Sequence, residues 1–88
     1  MLRIQRSEAN EELVFTLSGR IDEDDVADLE NVISSEASER RIVLDLKDVT
    51  LAGRGAVSFL ERCEKDGIAL RNCPMYVREL ITRQRRGS

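Results

Sequence analysis

The sequence predicts an α/β domain: a four-stranded mixed sheet with three helices packed on one side, in the order β-β-α-β-α-β-α. Three observations carry that expectation. Short alternating apolar stretches around Leu2 and Ile4 and in EELVFTLSGRI read as two early strands, with SEAN as the turn between them. Ile42, Val43, Leu44 and Leu46 form a nearly continuous apolar run, as a strand in the middle of a sheet requires. Beyond it, helical spacing alternates with a further short strand. Such strand–helix–strand units need right-handed crossovers, so the later strands should run parallel.

Each element has its own signal. In the second strand Leu13, Phe15 and Leu17 fall on one face and Val14 and Thr16 on the other, with an end expected near Gly19. Asp22 three residues ahead of Asp25 resembles a capping box with a shorter side chain, and the acidic run DEDD suits a first helical turn. Val26, Leu29 and Ile33 then share a face, giving a helix over 23–36 that SSEASERR releases. After RIVLDLKDV, the residues Ala56, Phe59, Leu60 and Cys63 follow the spacing of one buried stripe. Glu61, Arg62, Glu64 and Lys65 are expected outside it, and Gly67 as the stop. Ile68, Ala69 and Leu70 make the last strand. Pro74 suits the start of a final helix whose apolar side holds Met75, Val77 or Arg78, Leu80 and Ile81.

A chain of 88 residues makes one domain, here 1–82, with 83–88 read as a basic flexible tail whose arginines suit a helix C-terminus. The net charge of −3 and the lack of interleaved aromatics argue against nucleic acid. No apolar run approaches the roughly 20 residues of a membrane span, and the first residues lack the pattern of a secretory signal, which points to the cytoplasm. Cys63 and Cys73 fit neither a disulfide framework nor a metal-ligand spacing, and the chain has no histidine, so no metal and no cofactor is expected.

The order of elements, the GRI-D turn at 19–22, the IVLDL strand at 42–46 followed by VTL, and a glycine-containing loop before a helix together resemble the STAS domain. That domain is shared by bacterial anti-sigma factor antagonists and sulfate-transporter tails, and the likeness runs from about Leu2 to Ile81. In the antagonists a strand aspartate and a D-S-S-G-L loop matter, and a cognate kinase phosphorylates the serine before the glycine. Carried across, the strand aspartate falls on Asp45. The loop falls on Ala52, Gly53, Arg54, Gly55 and Ala56, so only Asp45 and Gly55 keep the pattern. Arg54 cannot accept a phosphoryl group and has the opposite charge to a phosphoserine. Thr50 and Ser58 are the nearest hydroxyls for a displaced site.

A cation at a helix start opposes the macrodipole and so needs a reason. The plainest is an internal salt bridge to Asp48 or Asp45. Next comes a carboxylate on a partner, which the planar guanidinium would grip while Gly53 and Gly55 admit another backbone. Third is phosphate held with the free helix amides. Asp45 itself is expected to order the loop after its strand through hydrogen bonds to amides. A nucleophilic Cys73 before Pro74 is the least favoured chemistry, since no histidine can serve as base and a packing cysteine explains it.

The resemblance therefore implies a non-enzymatic interaction module acting in transcription regulation. Its docking face is expected at Asp45, Ala52, Gly53, Arg54, Gly55 and Ser58. Its partner is expected to be an anti-sigma kinase-like protein, a STAS-containing regulator or a transporter subunit, and a homodimer could cover the sheet's open edge. The alternative is a small-ligand or nucleotide sensor with the loop 51–55 as anion site.

Overall fold

The computed structural model describes residues 2–35 and 41–87. Its elements follow the expected order: β1 (Arg3–Ala9), β2 (Glu12–Ile21), α1 (Glu23–Ser35), β3 (Arg41–Ala52), α2 (Arg54–Lys65), β4 (Ala69–Arg71) and α3 (Met75–Gly87). The sheet runs β1-β2-β3-β4, with β1 antiparallel to β2 and the other pairs parallel. The first turn is tighter than SEAN implied. Pairing continues to Ala9↔Glu12, and Asn10 makes the reversal at φ 50°, an angle asparagine tolerates better than most residues. Strand β2 likewise passes Gly19, which takes φ 93° next to a register shift, and ends at Ile21.

One apolar cluster lies on the helix side of the sheet. Leu13, Phe15 and Leu17 of β2 and Leu44 and Leu46 of β3 meet Leu29 of α1, the stripe Ala56, Phe59, Leu60 and Cys63 of α2, and Val77 and Ile81 of α3. Val14 and Val43, cross-strand partners on the other face, stand outside this cluster yet are buried. An ion pair at 3.2 Å from Arg71 of β4 to Glu12 of β2 reaches across β3 on that face.

Helix ends follow the chemistry of their residues. The Asp22 amide donates to Asp25 Oδ2 at 2.8 Å, the reciprocal half of the expected capping box, while the Asp22 carboxylate takes Arg20 Nε at 2.7 Å instead. The helix end expected at 36, within SSEASERR, lies outside the described residues. At the end of α2 the Ile68 amide donates to the Cys63 carbonyl at 2.9 Å and the Gly67 amide to the Glu64 carbonyl at 3.2 Å, with Gly67 at φ 92°. This is a Schellman stop, and glycine fits its left-handed position without strain.

Three expectations need correction. Pro74 precedes α3 and its carbonyl accepts the Arg78 amide at 3.0 Å, so the proline caps the helix. Residues 83–87, expected as a flexible tail, continue α3, and Arg85 reaches back to Glu64 on α2 at 2.7 Å. Glu61, expected in solvent, is only 7% exposed, because α2 lies between α1 and α3 and is covered on its flanks as well as beneath.

Candidate functional site

Strands β2 and β3 end side by side, with Ile21 paired to Ala52, and each leads within two residues into a helix. The Gly53 amide donates to the Ile21 carbonyl at 3.1 Å, which ties the entry of α2 to the entry of α1. Gly53 has φ −73° and ψ 175°, ordinary extended backbone, and a Cβ there would meet nothing nearer than 3.8 Å. Its carbonyl accepts the Val57 amide at 2.9 Å as the first turn of α2, and no side chain caps the helix. Gly55 is more confined: an added Cβ would lie 3.0 Å from Cγ of Glu23. The first residue of α1 thus brings a carboxylate against the first turn of α2, where it offsets the positive end of that helix.

Arg54 is the first residue of α2 and is exposed. Among the described residues it forms no ion pair, so the internal bridge to Asp48 or Asp45 is not made. Asp45 is occupied elsewhere. The β2–β3 register shifts between Thr16↔Asp45 and Ser18↔Asp48, and Asp45 Oδ1 accepts the Lys47 amide at 3.0 Å at this bulge and Asn72 Nδ2 at 3.3 Å. It does order a backbone amide, but that of Lys47 in its own strand, on the order of 20 Å of extended chain before the loop. Asp45 is therefore not brought together with Ala52, Gly53, Arg54 and Gly55.

Ser58 lies one turn into α2, half-buried, and its Oγ accepts Gln84 Nε2 of α3 at 2.6 Å. Thr50 is exposed at a second shift, skipped between Gly19↔Val49 and Arg20↔Leu51. Between the end of β3, the start of α2 and the outer half of α3 runs an open groove of about 320 Å³ lined by Ala52, Arg54, Val57, Leu80 and Gln84. The large exposed apolar side chains among the described residues are Leu51, Met75, Tyr76 and Leu80. Leu80 lines this groove and Tyr76 sits one turn before it with its hydroxyl donating to the Val49 carbonyl at 3.3 Å, whereas Leu51, the strand neighbour of buried Ala52, belongs to the opposite face of β3. Sequence reasoning placed Leu80 and Met75 on the packed side of the last helix. The stripe is wider than α2 and β3 can cover, so Val77 and Ile81 are sealed while Met75 is 85% exposed.

Beyond the groove, α3 is held to α2 by charge. Glu64 accepts Arg78 Nη1 at 2.9 Å and Arg85 Nη2 at 2.7 Å, and these bonds, Arg78 foremost, hold its carboxyl below the usual glutamate range. Glu61 has Lys65 at 3.4 Å and Arg85 at 3.9 Å, but its Oε1 is buried without a hydrogen bond. Neither thiol has the character of a nucleophile. Burial, with Asp66 adding to it, pushes Cys63 up to about 12, and burial also raises Cys73 above its ordinary value although Arg78 opposes the shift. Among the described residues no three potential metal ligands come together, and no helix is long and apolar enough to cross a membrane.

No family model matches the chain, and no curated protein does. Solved structures do. A STAS domain, described as an antisigma-factor antagonist, from Rhodobacter sphaeroides aligns at a TM-score of 0.61 and 14% identity, covering 80% of this chain and 83% of that one. A structure described as Mglu gives 0.64 at 16% identity, with 81% of this chain against 19% of the other. An uncharacterised DUF3478-family protein with a SpoIIAA-like fold from Shewanella loihica gives 0.59 at 11% identity, over 85% and 69%. The chain thus has a STAS-like fold, in agreement with the resemblance in its sequence.

Proposed function

We propose that this chain is a non-enzymatic regulatory module that docks on another protein through the end of β3 and the first turn of α2, without a phosphorylation switch at the position its relatives use. One observation carries the reading: Arg54 stands exposed at the head of α2 with no ion-pair partner among the described residues. A cation so placed is unfavourable for the isolated chain and becomes favourable when a partner's carboxylate meets it. The likeness to an antisigma-factor antagonist supports a bacterial, cytoplasmic role in transcription regulation. The partner would be an anti-sigma kinase-like protein, a STAS-containing regulator or a transporter subunit. Gly53 and Gly55 would let its backbone come close, with Ala52 beneath and Ser58 at the border.

Affinity capture from the native host with wild type and Arg54→Glu side by side tests this. A protein retained by wild type and lost by the variant is the expected result, and equal retention by both would overturn the docking site. The anion-sensor reading draws on the same unpaired Arg54, but the groove beside it is lined by Ala52, Val57, Leu80 and Gln84, which add no second cation to hold a phosphate. Calorimetric titration with nucleotides and inorganic phosphate is expected to be silent; heat abolished by Arg54→Ala would favour the sensor instead.

A further inference from the structure

The groove beside Arg54 has a chemistry that selects what can fill it. It is lined by the apolar side chains of Ala52, Val57 and Leu80 together with Gln84 and Arg54. Tyr76, one helical turn before Leu80, extends the apolar strip along α3. The charge around it is not that of the whole chain. Helix α3 carries four arginines against one glutamate, whereas α1, on the other flank of α2, carries five carboxylates and no cation. A net charge of −3 thus hides a cationic side and an anionic side, and the apolar groove opens on the cationic one.

Resting on the docking reading above, we infer that the groove receives an acidic amphipathic helix of a partner protein. An apolar side chain of that helix seats against Val57 and Leu80, and a carboxylate about one turn away is held by Arg54. The occupant's helical form follows from the groove's shape: it lies between one helix and the head of another, where a helix presents anchors at turn spacing. Its acidity follows from charge complementarity, since a basic helix would meet Arg54, the one charged side chain among the described residues that lines the groove, with like charge. A second copy of this chain, offering its own acidic α1, is the competing occupant.

Isotope-labelled protein titrated with two synthetic amphipathic helices separates these cases. Each peptide is roughly 15 residues long, enough to hold helical structure. They share a leucine face and differ only in having glutamate or lysine on the other. Backbone resonances of Ala52, Arg54, Val57, Leu80 and Gln84 are expected to shift with the glutamate peptide at least roughly tenfold more tightly than with the lysine peptide. Arg54→Gln should erase that preference and Leu80→Glu should abolish binding of both, with dispersed spectra confirming that each variant is folded. Equal affinity for the two peptides, shifts confined to other residues, or no saturable shift would overturn the proposal. So would the same residues shifting when the protein alone is concentrated, since a second copy would then be the occupant. If host capture is lost with Arg54→Glu yet unchanged with Leu80→Glu, the loop remains the docking site and the groove does not.

Discussion

Arg54 and the glycines around it divide the work of the β3–α2 junction between fold and contact. Gly53 adopts backbone angles open to any residue and has room for a Cβ, so Gly53→Ala is expected to change stability by no more than about 0.5 kcal/mol in urea denaturation. A loss of partner binding in that variant would then report close backbone approach from outside. Gly67 behaves oppositely: space is open, but φ is 92°, so Gly67→Ala should cost about 1 kcal/mol in the same measurement. The location of Arg54 could be read directly from GRG standing between an apolar run and a helical stripe. Its lack of a partner could not, because Asp45 and Asp48 stand close to it in sequence while the extended strand β3 sets them apart from it in space.

Helix α2 is wedged between two neighbours, and ion pairs add to its apolar contact with α3. Glu64 has its carboxyl held below the ordinary range by Arg78 and Arg85, so the folded chain resists protonating it more than the unfolded chain does. The stability this gives is fully present above the unfolded value of about 4.3 and is lost as pH falls through the lower folded value. Urea midpoints of wild type and Glu64→Gln should therefore differ near neutrality and converge once pH has dropped below the lowered folded value. Glu61 is a different case: Lys65 and Arg85 stand within ion-pair distance, but both are exposed and neither gives its buried oxygen a hydrogen bond. Glu61→Met should leave the fold intact and raise stability by roughly 1 kcal/mol, read by the same denaturation. Reading the stripe at i, i+3, i+4 and i+7 found the inward face of α2 correctly, but it treats a helix as having one buried side. Coverage of Glu61 comes from α3, which the local pattern around Glu61 does not contain.

Taken as a whole, the molecule is electrically lopsided, and this bears on how it meets an acidic partner. Net charge alone would make such an encounter repulsive and faster as salt screens it; the cationic α3 side predicts the reverse. Association rates with a captured acidic partner, measured by stopped flow, should fall on raising ionic strength from roughly 0.05 to 0.2 M. Element order and strand directions were legible because connection rules leave few choices once the apolar runs are found. The groove was not, since it forms where the end of β3 and the second half of α3, nearly thirty positions apart, come together. A last consequence belongs to β1, the outermost strand. Its register sets Arg6 opposite Phe15 and Glu8 opposite Leu13, which puts two ionised side chains on the helix-facing side of the rim, where they pair at 2.8 Å. A foreign strand stacking there would have to strip water from both, so the pair acts as a gatekeeper against runaway cross-β polymerisation. Replacing both with valine is expected to yield thioflavin-positive fibrils in agitated solutions where the parent protein stays clear.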